Sequence, residues 1–268
     1  MPARYPQRIV CLTEETTETL YLLGEQQRIV GVSGYTVRPP EARRDKPKVS
    51  AFLSAKTDKI LALKPDLVLG FSDLQADIAR DLAKAGLNVV IFNQRSVDEI
   101  LSMVLTLSAM VGASQRGESL VGEIEANLDS IRKSGQQFAR RPRVYFEEWD
   151  EPMISAIRWV SELIEVAGGE DVFSSLSLSH AASGRTIADP QEVVRRAPDV
   201  ILGSWCGKKF RPERVAARPG WAAIPAVRAG ALYEIKSADI LQPGPAALTD
   251  GVRRMHEILT ARAADLSR

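Results

Sequence analysis

The sequence predicts an α/β protein with two Rossmann-like lobes, each built on a parallel sheet, joined by one long α-helix. The first observation is a repeat: residues 64–70 (KPDLVLG) return as residues 197–203 (APDVILG), each after a short amphipathic stretch. The second is the alternation of short apolar runs with helical patterns, which is typical of parallel sheets covered by helices. The third is the segment 97–138, which has no strand signal.

Each copy of the repeat predicts a helix that ends before proline and a buried strand that runs to glycine. Proline disfavours helical geometry in the residue before it, and the β-branched residues that follow favour a strand. With the neighbouring apolar runs, four strands fall in each half. We expect strands near Arg8–Leu12, Arg28–Val32, Leu67–Gly70, Asn88–Phe92, Arg143–Glu147, Asp171–Phe173, Asp199–Gly203 and Ala231–Ile235. We expect helices near Thr16–Gly24, Thr57–Leu63, Leu74–Ala85, Arg158–Ala167, Pro190–Arg196 and Ala246–Ala263.

The segment from Val97 to Phe138 is expected to be helical, with an interruption near Gly112. Its last part is helical over about 24 residues, or about 36 Å, which is long enough to cross between two lobes. Arg140-Arg141-Pro142 ends this helix. The predicted organisation is an N-terminal lobe at residues 1–112, a connecting helix at 113–140 and a C-terminal lobe at 141–268.

Composition argues against several classes of function. The 268 residues include 35 Lys plus Arg and 34 Asp plus Glu, so no basic excess favours nucleic acid or a membrane surface. No GxSxG elbow, P-loop, GxGxxG, HExxH or CxxC motif occurs, so we predict a non-catalytic protein. Cys11 lies in an apolar run and Cys206 at a strand end, and a disulfide between them remains open.

The N-terminal segment MPARYPQRIVCL lacks the apolar core of a signal peptide. No run of about 18 apolar residues predicts a membrane helix, so we expect no membrane insertion. As written, the chain is expected in the cytoplasm, but a protein trimmed of its signal would look the same.

Aromatic and polar residues cluster where the predicted strands end. In open α/β sheets ligands bind at the carboxyl ends of the strands, so in two facing lobes these residues would line a shared cleft. Only 6% of the chain is aromatic, so this concentration predicts a large, flat or ring-bearing ligand. The candidate ligand-binding residues are Glu15, Tyr35, Phe52 and Phe71 in the first lobe, and Glu148, Trp149, Arg185, Trp205, Lys208, Asp239 and Gln242 in the second.

Several strand-end residues also have a structural interpretation. Residues 147–151 (EEWDE) form either a solvated loop or a surface that recognises amides, a cation or a metal-bearing ligand. Thr13, with the acids that follow it, suits a helix N-cap. The remaining assignments are structural roles for Trp159, Trp221 and His256, and a surface position for His180.

Two stretches carry a resemblance to a known family. Residues 31–70 (GVSGYTVRPPEARRDKPKVSAFLSAKTDKILALKPDLVLG) contain a strand, a tyrosine, Pro-Pro, a basic spacer, an aromatic residue, an acid that opens a helix, and the KPDLV strand. Residues 220–235 (GWAAIPAVRAGALYEI) supply a Trp, Ile-Pro-Ala-Val, a Gly and a Tyr. In this order the motifs resemble the substrate-binding proteins of cobalamin and iron-siderophore ABC importers, most closely those for cobalamin, from Arg8 to about Arg262.

The resemblance implies a rigid two-lobed protein that binds its ligand in the cleft and needs no catalytic cofactor. It places Tyr35 and Asp239 at ligand contacts. It also places Phe52 where the cobalamin-binding members stack a Trp on the ligand. Trp205 sits at a strand end where an aromatic ring would close the cleft from the second lobe.

Permease docking in the resembling family uses one acid on each lobe, at the start of the helix before each Pro-Asp strand. Asp58 fills the first position, whereas the second carries Gln191, with Glu192 one residue out of register. Together with the absent signal, this departure opens a hypothesis of ligand binding inside the cell without a permease. By the family, the protein is periplasmic if a signal was removed.

The predicted function is binding of cobalamin or another corrinoid by a monomer, either for an ABC permease or as an intracellular relative of such a protein. The alternative ligands are a ferric siderophore or haem. A different class of function would be a metal-handling enzyme in which the acids of residues 147–151 and His180 surround a metal.

Overall fold

The repeated Pro-Asp segment begins an inner strand in each of two sheets in the computed structural model, which describes residues 4–267. Lys64 and Ala197, the residues before the two prolines, have positive φ angles of 47° and 43°. Left-handed residues commonly end helices: Ala197 directly follows the helix Gln191–Arg196, and Lys64 follows the helix Thr57–Ala62 after one further residue, Leu63. The two copies of the repeat therefore make the same turn from helix to strand.

The aspartate of the repeat has the same contact in both sheets. Asp66 accepts a hydrogen bond from the backbone N–H of Arg8 at 2.9 Å, and Asp199 accepts one from that of Arg143 at 3.0 Å. In return, the N–H of each aspartate donates to the carbonyl of the same arginine, at 2.9 and 2.7 Å. These reciprocal bonds align the repeat strand with its parallel neighbour, which explains why the sequence conserves the residue type between its own two copies.

The chain divides into two units. The first comprises the described residues up to Gln94 together with residues 98–123, and the second comprises residues 95–97 and those from Ile124 onwards. The division falls inside the helix Ser114–Gly135. This organisation, with a sheet in each unit and one long helix shared by both, confirms the predicted fold class.

The first unit, within the described residues, has a six-stranded sheet in the order β4-β3-β2-β1-β5-β6. Neighbouring strands are parallel except for β3 and β4, which form an antiparallel hairpin. The strands are β1 (Ile9–Cys11), β2 (Ile29–Ser33), β3 (Lys48–Ala51), β4 (Ser54–Ala55), β5 (Leu67–Phe71) and β6 (Val89–Phe92). The helices are α1 (Glu14–Leu22), α2 (Pro40–Asp45), α3 (Thr57–Ala62), α4 (Ala76–Lys84) and α5 (Val97–Met110), and a 3₁₀ turn spans Asp73–Gln75.

The helix α6 (Ser114–Gly135) leads into the second unit, whose described part has a five-stranded sheet. Its order is β11-β10-β7-β8, and β9 pairs with the start of β7. The strands are β7 (Arg143–Asp150), β8 (Met153–Ser155), β9 (Glu170–Asp171), β10 (Val200–Gly203) and β11 (Leu232–Glu234). The helices are α7 (Arg158–Val166), α8 (Gln191–Arg196), α9 (Pro212–Ala216), α10 (Pro225–Arg228), α11 (Ser237–Ile240) and α12 (Val252–Leu266).

The predicted element order is wrong in several details, and the short helices α2, α9, α10 and α11 were not expected. The expectation of four strands in each half missed β3, β4 and β8, and both β4 and β8 run antiparallel to their neighbours. The strand expected at Asp171–Phe173 ends at Asp171, because Val172 and Phe173 turn into the core. The helix expected from Ala246 begins with a π-helical turn at Ala247–Gly251.

Gly251 in that π turn is required by close packing. A Cβ atom at this position would lie 2.2 Å from the backbone oxygen of Asp239, in α11. Only glycine lets the two segments approach so closely. The turn therefore fixes the backbone position of Asp239, one of the candidate ligand contacts.

Both cysteines are free, Cys11 being buried and Cys206 exposed, so the open question of a disulfide is answered in the negative. Cys11 belongs to the apolar strand β1, as expected for a core thiol. Within residues 4–267, no helix combines the length and the apolarity that crossing a bilayer requires.

Candidate functional site

The carboxyl ends of the first sheet carry an exposed apolar surface. Tyr35 follows β2, Leu53 lies in the β3–β4 turn and Leu74 follows β5; their exposed fractions are 65%, 68% and 61%. These are the three most exposed large apolar side chains in the described part of the first unit. Phe52 is half-buried beside Leu53, whereas Phe71 is buried. Uncovered apolar groups at this edge are a surface that a ligand can cover.

Gln75 holds two of these strand ends together. Its side-chain oxygen accepts a hydrogen bond from the N–H of Phe71 at 3.0 Å, and its amide donates to the carbonyl of Phe52 at 2.9 Å. Gln75 is fully buried. Sequence reasoning missed this residue, because its partners lie on two strands and no local pattern marks it.

Acidic residues lie buried at the carboxyl end of β1, in the first turns of α1. The Glu14 carboxylate accepts a hydrogen bond from the N–H of Val37 at 2.6 Å, and Glu15 accepts one from the Thr13 hydroxyl at 2.5 Å. The other oxygen of each carboxyl is enclosed without a partner. Burial raises the pKa of Glu14 and of Glu15 to about 7.

Thr13 is the N-cap residue of α1 by position, but its side chain does not cap the helix. Its hydroxyl bonds the Glu15 carboxylate instead. The N-cap interpretation therefore holds for the backbone alone. Glu15, the candidate ligand contact of this loop, is only 1% exposed and lies beneath the surface.

Three acids at the carboxyl end of β7 are each paired with a cation from elsewhere in the second unit. The acids belong to the segment EEWDE, so that segment is neither a solvated loop nor a group of free carboxylates. Among the described residues, no cluster of three or more His, Cys, Asp or Glu side chains could hold a metal ion. The pairs are Glu147 with Arg218, Glu148 with Arg185, and Asp150 with Lys208.

Glu147 is the centre of a buried network. The Arg218 guanidinium donates to both of its oxygens, at 2.5 and 2.9 Å. The Tyr145 hydroxyl donates at 2.8 Å and the indole N–H of Trp205 at 3.0 Å. A fully buried carboxylate needs such partners, because an unpaired charge in the interior is costly.

Arg185 and Glu148 form a bidentate pair. The guanidinium donates to the two carboxylate oxygens at 2.5 and 3.1 Å, and to the carbonyl of Ser155 at 2.7 Å. The Arg185 side chain is 2% exposed and that of Glu148 is 20% exposed. Arg185 was expected to contact a ligand, but its charge is committed to Glu148, and Glu148 is the more accessible partner.

Trp205 lies in the core of the second unit, 3% exposed, with its ring edge-to-face against Phe210 at 5.1 Å between centroids. Trp205 was expected at a strand end as a ligand contact; its ring is buried and lines the cavity described below, and its contact with a ligand stays a prediction. Trp149 is half-buried. Lys208 lies 3.9 Å over the Trp149 ring and also binds Asp150, so it covers part of the aromatic surface.

The second unit contains a cavity of about 520 Å³ next to this network. Its walls are mostly apolar, and two acids and two arginines also line it. This volume suits part of a large ligand or a small organic molecule. Residues that line it include Asp150, Met153, Ile187, Trp205, Arg214 and Arg218.

Other candidate residues have varied surroundings. Asp239 in α11 and Gln242 just after it are both half-buried. His256 is structural as expected: its ring contacts the Ala167 carbonyl at 2.8 Å. His180 is exposed, and Trp159 and Trp221 are buried, also as expected.

The two candidate docking acids differ in their partners. Asp58 is exposed in the first turn of α3, with no ion-pair partner among residues 4–267. Glu192 in α8 binds Arg196 at 2.7 Å and Arg195 at 2.8 Å, and these hydrogen bonds lower its pKa. Gln191 donates its amide to the carbonyl of Pro219 at 2.9 Å.

Comparison with known proteins identifies the family. Residues 9–238 match the family described as periplasmic binding protein, and the chain belongs to this family. The match spans both units and both candidate strand-end surfaces. It also confirms the prediction of a non-catalytic binding protein.

Individual relatives have low sequence identity to this chain, but they match most of its length. A vitamin B12-binding protein of Pectobacterium carotovorum subsp. carotovorum is 24% identical over 201 residues, covering 74% of this chain and 71% of its own. An uncharacterised ABC transporter substrate-binding lipoprotein of Bacillus subtilis, YvrC, is 25% identical and covers 94% and 79%. The periplasmic heme-binding protein RhuT of Roseiflexus sp. RS-1 has a TM-score of 0.78 at 25% identity, covering 94% of this chain and 99% of its own.

Proposed function

We propose that this chain is the substrate-binding component of an ABC importer and that its ligand is a large ring compound, most directly cobalamin or another corrinoid. The observation that carries the proposal is the exposed apolar surface at the carboxyl ends of the first sheet, in a chain of the periplasmic binding protein family. Family members of this kind deliver a bound small molecule and do not transform it.

The exposed surface is suited to a ring. Tyr35, Leu53 and Leu74 come from three separate strand ends, so together they offer an area rather than a point of contact. Removing apolar surface from water contributes about 25 cal/mol per Å² to the free energy of binding, and a flat ring covers several side chains at once. Phe52 would add an aromatic face to this surface.

The choice of a corrinoid is supported by the relatives. Curated proteins that match most of this chain are named vitamin B12-binding proteins. Haem is the second candidate, because a structure at 25% identity belongs to a heme-binding protein. Both ligands are tetrapyrrole-derived rings, so the apolar surface serves either.

The importer role implies a permease partner. Asp58 supports such a role in the first unit, because an exposed acid without an ion-pair partner among residues 4–267 is available to a cationic surface. We propose that the protein acts as a monomer. The second unit would contribute less to docking, since Glu192 is already bound by two arginines.

Titration of the purified protein with cyanocobalamin, hemin and a ferric siderophore tests the proposal. We expect cyanocobalamin to bind, with heat release in calorimetry and a change in its visible absorption. No corrinoid binding at tens of micromolar would contradict the corrinoid assignment, and hemin binding alone would support the second candidate.

A pair of leucine variants links binding to the apolar surface. Leu53→Ser removes an exposed leucine at the strand ends, whereas Leu22→Ser removes one at the end of α1. We expect Leu53→Ser to weaken cyanocobalamin binding by about fivefold, which corresponds to about 1 kcal/mol, and Leu22→Ser to leave it unchanged. Equal effects of the two substitutions would argue against this surface as the ligand contact.

A further inference from the structure

The carboxyl end of β7 carries charges that are matched one to one. Three acids of this strand bind three cations from distant parts of the second unit, as described above. The cavity beside them also has no net charge, because two acids, Asp150 and Glu151, line it together with two arginines, Arg214 and Arg218. A ligand that approaches this surface therefore meets no excess of positive charge.

A carboxylate on a ligand needs a cation to replace its hydration. Arg185 donates to both oxygens of Glu148 and to the Ser155 carbonyl, and it is 2% exposed. A ligand carboxylate could engage it only by displacing Glu148, which would leave that acid unpaired.

Arg218 is held in the same way, since it donates to both oxygens of the buried Glu147, and a ligand carboxylate would have to break this pair. Lys208 is 40% exposed and binds Asp150. A carboxylate drawn to Lys208 would lie beside the acid that the lysine already binds, and like charges repel.

The accessible members of these pairs are good partners for N–H groups. Glu148 is 20% exposed, and a carboxylate oxygen that accepts from arginine keeps a second lone pair. A carboxamide can donate to that lone pair without disturbing the bond from Arg185. Hydrogen bonds to a charged acceptor are stronger than those between neutral groups.

This surface consists of the three ion pairs formed by Glu147, Glu148, Asp150, Arg185, Lys208 and Arg218. We infer that it selects ring ligands whose edge carries carboxamides over rings whose edge carries carboxylates. The inference rests on the proposed binding of a tetrapyrrole-derived ring and narrows it to the amide-bearing class. It also distinguishes the two candidate ligands, because the corrin edge of cobalamin is rich in carboxamides and haem carries two carboxylates.

Two corrinoid probes test the selection on one ring. Dicyanocobinamide carries carboxamides at its edge, and dicyanocobyrinic acid carries carboxylates at the same positions. We expect the cobinamide to bind at least about tenfold more tightly, which equals about 1.4 kcal/mol, and its affinity to change by less than about twofold between about 0.05 and 0.5 M NaCl. Equal or tighter binding of the carboxylate probe would overturn the inference and leave the proposed function intact. Failure of both probes and of cyanocobalamin to bind would contradict the proposed function itself.

A variant that removes one negative charge tests the role of this surface. Glu148→Gln keeps the shape of the side chain and releases the charge of Arg185. The control Glu125→Gln removes an exposed acid of α6 that lines neither the cavity nor this surface. We expect Glu148→Gln to shift the affinity ratio of the two probes by about tenfold towards the carboxylate, and Glu125→Gln to leave the ratio unchanged. An unchanged ratio in Glu148→Gln would overturn the inference. If circular dichroism shows that Glu148→Gln does not fold, Asp150→Asn replaces it. This variant releases the more exposed Lys208, and we expect the same shift of the affinity ratio towards the carboxylate probe.

Discussion

The side-chain amide of Gln75 donates a hydrogen bond to the carbonyl oxygen of Phe52 at 2.9 Å. Its oxygen accepts a second bond from the N–H of Phe71, so one buried side chain sets the separation of two strand ends. The exposed residue Leu53 directly follows Phe52, and the exposed residue Leu74 lies three residues after Phe71. The apolar surface thus depends on a residue that does not itself face the ligand.

Replacement of Gln75 with Leu should test this dependence. The substitution leaves the Phe52 carbonyl and the Phe71 N–H without their partner, and we expect the free energy of unfolding to fall by about 1–3 kcal/mol. Cyanocobalamin binding should weaken as well, because Phe52 and Leu53 lose their fixed position. Urea unfolding and calorimetry measure the two effects. Gln115→Leu, at an exposed site in α6, is the control, and wild-type binding by a folded Gln75→Leu protein would exclude the positioning role.

Trp205→Ala should act mainly on stability. The ring is 3% exposed, packs against Phe210 and donates to Glu147, so its loss leaves a cavity and removes a hydrogen bond. We expect the free energy of unfolding to fall by about 3–5 kcal/mol. Trp149→Ala, at a half-buried ring, should cost much less. The comparison needs only urea unfolding curves, and a small loss of stability for Trp205→Ala would contradict the structural role of this ring.

Stability should depend on pH through Glu14 and Glu15. Burial raises the pKa of both from 4.5 to about 7, so between these values the folded chain binds more protons than the unfolded chain. Their contribution is therefore fully present below about pH 4.5 and is lost as the pH rises through about 7. Each group can change the free energy of unfolding by up to about 1.4 kcal/mol per pH unit.

The double variant Glu14→Gln/Glu15→Gln should remove this dependence. We expect it to be more stable than the wild type at about pH 8 and to show a flatter profile from about pH 5 to 8, measured by urea unfolding. Glu41→Gln, at an exposed site in α2, should keep the wild-type profile. If the double variant keeps the wild-type slope, the two buried acids do not titrate in this range.

Docking to a permease should depend more on Asp58 than on Glu192. Asp58 is exposed, whereas Glu192 is engaged by Arg195 and Arg196. We expect Asp58→Asn to weaken the complex with a permease of this importer class by about tenfold, and Glu192→Gln to have little effect. Surface plasmon resonance with a reconstituted permease measures both, with Glu118→Gln in α6 as an exposed control. A larger loss for Glu192→Gln would reverse the assignment.

The sequence predicts those parts of the fold that local patterns specify. The apolar runs of β1, β5, β7 and β10 and the prolines of the repeat define their own strands and turns. The missed strands β3, β4 and β8 are two to four residues long, and the segment Lys48–Ala51 has no apolar run. Such strands form because a neighbour offers free hydrogen-bonding groups, which depends on tertiary structure.

The candidate site was predictable in position but less so in chemistry. Strand-end placement correctly predicted that Tyr35, Phe52 and the acids of residues 147–151 lie at the carboxyl ends of strands, where ligands of α/β sheets bind. Their contact with a ligand stays a prediction. It did not reveal that Arg185 pairs with Glu148, because the two residues are distant in sequence. Nor did it identify Trp205 as a core residue, since an aromatic side chain at a strand end can point into the core or towards solvent.

The four tryptophans of this protein differ in one useful respect. Trp159, Trp205 and Trp221 are 2%, 3% and 0% exposed, while Trp149 remains half-buried beneath Lys208. Solvent quenchers such as acrylamide should therefore report chiefly on Trp149. Because this ring lies at the carboxyl end of β7, its emission would serve as an intrinsic fluorescent sensor of that surface, with no label needed. Shielding of Trp149 from acrylamide by a bound corrinoid would then follow occupancy in real time.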